Sequence, residues 1–274
     1  MMIYRTYTPQ PPLSDFVAFL WFCDGYTPLH RQERMLPSGI MELVISLHEE
    51  TIHLYDQQGL TPVQSFHGSL IRGAQTEATV IDTAPQKTII GVHFQPGGAF
   101  PFLGFPADEL YNAHVSLETL WGANGNDLRE QLLEAVSPEA KFHLLEQALL
   151  KQASIALKRR PDMTFALETF QHASTPVTIA NVADQVGLSQ RHFIQVFKEQ
   201  VGMTPKRYCR VRRFQEVLRL INRMESIDWV DVALACGYFD QAHFIHDFRA
   251  FSGLTPASYF AQRSNQLNHF PLSD

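Results

Sequence analysis

Two stretches in the last third of the chain carry the same landmarks in the same order, and this internal repeat restricts the fold more than any other feature. The first copy reads Ala183-Asp184-Gln185-Val186-Gly187, then Phe193, Phe197, Gly202, Thr204-Pro205 and Tyr208. The second reads Ala233-Leu234-Ala235-Cys236-Gly237, then Phe244, Phe248, Gly253, Thr255-Pro256 and Tyr259. The copies are offset by 50 residues up to the glycine and by 51 after it, so the second turn is one residue longer. Ala183 and Ala233 stand where two helices cross closely and a larger side chain would hold them apart. Gly187 and Gly237 can take positive φ and end the first helix in a tight turn. Ser189 and Asp240 are good N-caps for the next helix. Phe193/Phe197 and Phe244/Phe248 are i, i+4 pairs that turn one face inward. Gly-x-Thr-Pro then stops that helix and starts another with proline in its first turn.

The pattern predicts helix, short turn, helix, twice: two helix-turn-helix units, whose second helices are of the kind that enters a major groove. A helical repeat that only packs is the alternative. It would explain one copy, but not two that share their endings and flank a basic helix. That bridge, Lys206 to Gln215, carries five Lys and Arg residues within Lys206–Arg213. Lys206, Arg207, Arg210 and Arg213 are read as phosphate clamps. Charge is distributed to match. The whole chain carries −6, but residues 174–265 hold 11 Lys+Arg against 8 Asp+Glu, which leaves 11 basic and 20 acidic residues elsewhere.

Upstream, residues 1–122 read as β-rich. Ile40–Leu47 and Thr88–Phe94 have strand character, and short apolar runs broken by Gly and Pro suggest a barrel or sandwich. Helical periodicity follows at 126–135 and 138–157, closed by Lys158-Arg159-Arg160-Pro161, and again at 163–172. Ser174-Thr175-Pro176 opens the last domain. The expected fold is therefore α+β and multidomain: a β-rich, barrel or cupin-like N-terminal domain (1–122), a helical connector (123–173), an all-α C-terminal domain with two helix-turn-helix units (174–265), and a tail (266–274).

Other functional classes find little support. Cys23, Cys209 and Cys236 form no CxxC pattern and read as free thiols of a reducing cytoplasm. No run of about 18 apolar residues suggests a membrane helix. Six front-half histidines, His30, His48, His53, His67, His93 and His114, include no His-x-His, so no metal is expected. Glycine-flanked serine and phosphate-cradling motifs are lacking, and Cys23 between Phe22 and Asp24 is poorly placed to be an activated thiol. No catalytic residue and no cofactor is expected.

The repeat, and above all Trp229 to Tyr259 (WVDVALACGYFDQAHFIHDFRAFSGLTPASY), resembles the AraC/XylS family of bacterial transcription regulators. The resemblance runs from about Val177 to Arg263. It implies two helix-turn-helix subdomains bridged by one long helix, with both recognition helices in consecutive major-groove segments. The front part is similar to a domain type found with such modules, through Leu36-Pro37-Ser38-Gly39, Gly91-Val92-His93-Phe94 and Leu103-Gly104-x-Pro106. No ligand follows from that likeness.

With the phenylalanines inward, Gln190, Arg191, Ile194 and Gln195 fall on the outer face of the first recognition helix, and the resemblance points to the last three as base readers. On the second, Gln241, Ala242, Ile245 and His246 face out, while Asp247 and the lack of an early Arg weaken its base readout. Double-stranded DNA is the expected partner. RNA polymerase and a second copy of the chain are further partners to expect, and the expected location is the cytoplasm. The front domain is read as a small-molecule sensor, with Trp21, Phe22, Phe94, Phe100 and Phe102 as pocket walls or core. The alternatives are a pure oligomerisation module or a fused enzyme.

Overall fold

The computed structural model describes residues 2–48, 51–172, 177–264 and 266–272. The expected opening at Ser174-Thr175-Pro176 lies outside the described residues.

The front domain is built from strands β1 (Ile3–Tyr7), β2 (Val17–Asp24), β3 (Gln32–Met35), β4 (Glu42–Ser46), β5 (Thr51–Tyr55), β6 (Pro62–His67), β7 (Ser69–Arg72), β8 (Thr79–Asp82), β9 (Thr88–Phe94) and β10 (His114–Ser116). They form two antiparallel sheets instead of one closed barrel: β1-β2-β9-β4-β7-β10, and a second in the order β3-β8-β5-β6. Strand alternation gives the first sheet two different faces. Leu20, Val92, Leu43 and Ile71 lie side by side across four strands and are fully buried, each contributing about 1.5–3 kcal/mol. The opposite face carries Phe19, His93, Glu42, Arg72 and His114 at one level across five strands.

Helices α1 (Leu117–Trp121), α2 (Ala123–Glu134) and α3 (Pro138–Gln152) follow, and Leu117, Leu128, Phe142 and Leu145 join the same buried cluster as the apolar sheet face. Ser116 and Ser137 cap α1 and α3 by accepting the Thr119 and Ala140 amides. The helix expected to reach residue 157 stops at Gln152. Pro161, expected to close it, instead occupies the first turn of α4 (Pro161–His172), where its fixed φ suits a helix start and its missing N–H costs nothing.

The C-terminal helices are α5 (Ile179–Gln185), α6 (Gln190–Val201), α7 (Pro205–Ile221), α8 (Trp229–Ala235), α9 (Gln241–Ser252) and α10 (Pro256–Gln262). The residues expected to form a tail instead make strand β11 (His269–Leu272), which pairs with β3 and extends the second sheet. Pro271 is tolerated because β11 is an edge strand. Phe270 stacks on Tyr259 of α10 at 5.8 Å, and His269 Nδ1 lies 2.7 Å from the buried Glu33. The chain's end thereby ties the second helix-turn-helix to the front sheet.

The first unit docks as well. A Cβ on Gly202 would lie 2.7 Å from Met41 Cε and 2.9 Å from Ala74 Cβ, so this left-handed residue (φ 88°) lets α6 end against the front domain. Lys198 pairs with Asp108 at 2.8 Å, and Gln215 donates to the Pro37 carbonyl at 2.8 Å. Among the described residues no helix is long and apolar enough to cross a membrane.

Candidate nucleic-acid interface

The two turns have the same hydrogen-bond pattern at an offset of 50 residues. Leu188 N donates to Ala183 O and Tyr238 N to Ala233 O, both at 2.9 Å. Gly187 and Gly237 sit at φ 71° and 73°, the left-handed region that glycine enters without steric cost. Ala183 and Ala233 are fully buried at the helix crossings. Ser189 accepts the His192 amide at 3.3 Å and Asp240 the His243 amide at 2.7 Å, each filling one orphan donor of a recognition helix. Phe193, Phe197, Phe244 and Phe248 are fully buried. Each pair is 5.8 Å apart between ring centroids, and Phe170 of α4 packs edge-on against Phe197.

With that face inward, Gln190, Arg191 and Gln195 of α6 are exposed and Ile194 is half-buried. They border one open depression with Ser189 and His192. Gln195 donates to Glu199 at 2.6 Å, which fixes its amide along the helix. On α9, Ala242 and His246 are exposed, and Gln241 and Ile245 are half-buried.

The bridge helix α7 differs from a row of free cations. Lys206 is exposed with no ion-pair partner among the described residues. Arg207 is exposed but lies over the Tyr111 ring of the front domain at 4.7 Å. Arg210 makes a two-pronged pair with Asp247 of α9, Nη2 to Oδ1 at 2.6 Å and Nε to Oδ2 at 3.3 Å. Arg212 donates to the Gln171 carbonyl at the end of α4. Arg213 donates to the Gly237 carbonyl at 3.1 Å and covers Tyr238. Asp247, expected on the reading face, is buried and serves as an internal anchor. Its side chain is 2% exposed against 32% for Arg210. No local pattern announces this, because its partner stands 37 residues earlier. One exposed base on α9 went unnoticed in the sequence: Arg249, in the last turn.

Residues 182–262 match a family described as a helix-turn-helix domain, and residues 5–116 match a domain of unknown function (DUF6597). The probable transcriptional regulator LumQ of Photobacterium leiognathi is 31% identical over 178 residues, covering 58% of this chain and 67% of that protein. The chain belongs to the AraC/XylS family of transcriptional regulators. An uncharacterized HTH-type transcriptional regulator of Haemophilus influenzae is 27% identical over 118 residues, 43% of this AraC/XylS chain and 39% of that protein. The chain thus spans well under half of that relative. A crystal structure of a transcriptional regulator with an AraC-type DNA-binding domain, from Chromobacterium violaceum, is 27% identical and covers 38% of this chain and 94% of its own, with a TM-score of 0.35.

In the front domain, the polar side chains hold one another. His93 lies 2.6 Å from Glu42, and Arg72 3.8 Å from the same carboxylate. Burial pushes Glu42 up, but His93 and Arg72 outweigh it and hold the carboxyl below its ordinary range. His114 is pushed down to about 3 by burial and by Arg72, so it is neutral. His30 contacts Glu33, and His53 contacts Ser65. No cluster able to hold a metal occurs among the described residues. Burial and then Asp24 raise the Cys23 thiol. Of the aromatic candidates, Phe22, Phe94 and Phe102 are buried core, and Trp21 and Phe100 are half-buried.

Proposed function

We propose that this regulator binds duplex DNA sequence-specifically, laying α6 and α9 into consecutive major-groove segments. The observation that carries the reading is the duplicated turn, with the same hydrogen bonds and the same left-handed glycine in both copies. Each turn leaves the start of its second helix uncovered. Arg191 donates in fork geometry to guanine, and Gln195 exchanges its Glu199 bond for an adenine edge. Gln190 and Ile194 complete the first reading surface, and Gln241, Ala242, Ile245 and His246 form the second. Among the bridge bases, Lys206 is the foremost phosphate contact, and Arg207 and Arg213 reach phosphate only by loosening their aromatic contacts.

The front domain, residues 1–122, is an effector-binding domain that performs no covalent chemistry. It acts on the reader at 174–265 through the connector at 123–173. RNA polymerase is the partner through which bound DNA becomes a change in transcription. A second role for the front domain is self-association. Its strand β1 is a sheet edge with Ile3 and Tyr4 about half exposed, the kind of edge that pairs with another strand. Selection from random duplexes with the full chain tests the central reading. An enriched motif supports it, and a pool without one refutes it.

A further inference from the structure

A cavity of about 250 Å³ lies where three parts of the chain meet. The front domain contributes Phe16, Pro96 and Phe100, and the connector contributes Lys158, Arg159 and Met163. The end of α6 closes it with Glu199, Gln200 and Val201. Its volume falls below the roughly 300–1,000 Å³ of pockets for drug-sized ligands. A site of this size suits a small metabolite.

The lining mixes apolar side chains with polar ones and carries an excess of positive charge. Arg160 is neutralised by Asp162 at 2.6 Å. Lys158 is exposed, and neither it nor Arg159 has a carboxylate within ion-pair distance among the described residues. Arg159 lies 5.6 Å over the Phe16 ring, and its Nε donates to the Asp15 carbonyl. Its Nη2 is buried with no hydrogen-bond partner. Asp15 acts on this guanidinium only from beyond ion-pair distance, and burial outweighs it. A partly desolvated guanidinium without a direct ion pair is costly, and a small shift of this side chain toward an arriving anion would recover that cost. Glu199 is the single acid on the wall, and Gln195 holds its carboxylate at 2.6 Å.

We propose that this junction binds a small organic carboxylate, with the anion on Lys158 and Arg159 and the apolar body against Phe16, Phe100 and Met163. The site touches the reader directly. A Cβ on Gly97 would lie 3.4 Å from Val201, so the front domain abuts the last turn of α6. On the other side, α4 carries Met163 on the cavity and Phe170 on Phe197. An occupant therefore holds front domain, connector and first recognition helix in one arrangement, and it shifts DNA affinity to the extent that this arrangement differs from the unliganded ones.

The regulatory consequence rests on the DNA-binding reading, but occupancy does not, so the test is run without DNA. Thermal unfolding and calorimetric titration of the full chain are followed with butanoate, hexanoate and benzoate, and with inorganic phosphate as the bare anion. The expected result is a saturable rise in melting temperature with at least one acid and none with phosphate. Lys158→Ala, on an exposed side chain, and Arg159→Met, which keeps the stem over Phe16, should each weaken binding tenfold or more. No saturable shift with any acid, an equal shift with phosphate, or undiminished binding in Lys158→Ala would overturn the proposal.

Discussion

Replacing Arg210 by alanine should damage the second helix-turn-helix before it affects any contact with DNA. The guanidinium holds Asp247 through two bonds of 2.6 and 3.3 Å and lies 5.3 Å over Phe251. Without it the carboxylate stays buried, with His243 and His246 at 3.8 and 3.7 Å. Breaking a fully buried pair costs about 3–5 kcal/mol, and an exposed pair is worth at most about 1 kcal/mol. Arg210 is one-third exposed and Asp247 is not, which places the cost at about 2–3 kcal/mol between those limits. Local opening would then become about 30- to 150-fold more frequent, at a factor of ten per 1.4 kcal/mol. Native-state hydrogen exchange reads this directly in the amides of α8, α9 and α10. The double variant Arg210→Met, Asp247→Leu should recover most of the protection, because an apolar pair of similar volume replaces the ions. Unchanged exchange in Arg210→Ala, together with uniformly weaker binding to all duplexes, would refute the structural role and make Arg210 a phosphate clamp.

Arg191→Ala should weaken binding to the selected site by about 1–3 kcal/mol and relax preference at one base pair. Lys206→Ala should weaken all duplexes alike and lower the salt slope by about one unit; titrations over a mismatch series and a salt series separate the two. Gly237→Ala meets open space and should cost only the left-handed penalty of about 1–2 kcal/mol. Gly202→Ala must also displace Met41 and Ala74, so its melting temperature should fall further. Burial raises the Glu33 carboxyl, but His269, Tyr26 and His30 outweigh that and hold it at about 2, against 4.5. Its stabilisation is therefore complete above about pH 4.5 and lost as pH falls toward 2, about 3 kcal/mol in all. Acid titration of wild type and Glu33→Gln should show a stability difference that shrinks across that interval; a constant difference would contradict the assignment.

The helix-turn-helix units were legible because their signals are local. A glycine at the turn, a cap after it and phenylalanines at i, i+4 each act within a few residues. Strand β9 was read at its observed bounds, since Thr88–Phe94 lies between a proline-containing turn and Pro96-Gly97-Gly98. Strand β11 was not legible. Four residues containing Pro271 read as a tail, and only the β3 edge more than 200 residues earlier makes them a strand. Asp247 was misplaced for the same reason, because helical periodicity shows which side a residue lies on but not that an arginine from another helix covers it. The basic bridge was legible in composition, but the partners its side chains take within the protein were not. Of its five bases, Arg207, Arg210, Arg212 and Arg213 are engaged within the protein.

If α6 and α9 read two DNA segments as one rigid pair, joined by the 17-residue helix α7, about 25 Å long at 1.5 Å per residue, the spacing of the two base-pair blocks is fixed. The most direct measurement is the affinity of the full chain for its selected site with base pairs inserted between the two blocks. Recognition helices on one face of the duplex lie about one turn, 10–10.5 base pairs, apart. Inserting five base pairs puts the blocks on opposite faces, and affinity should fall toward the level for random duplex. Affinity that stays the same through the five-base-pair insertion would contradict paired reading by the two units.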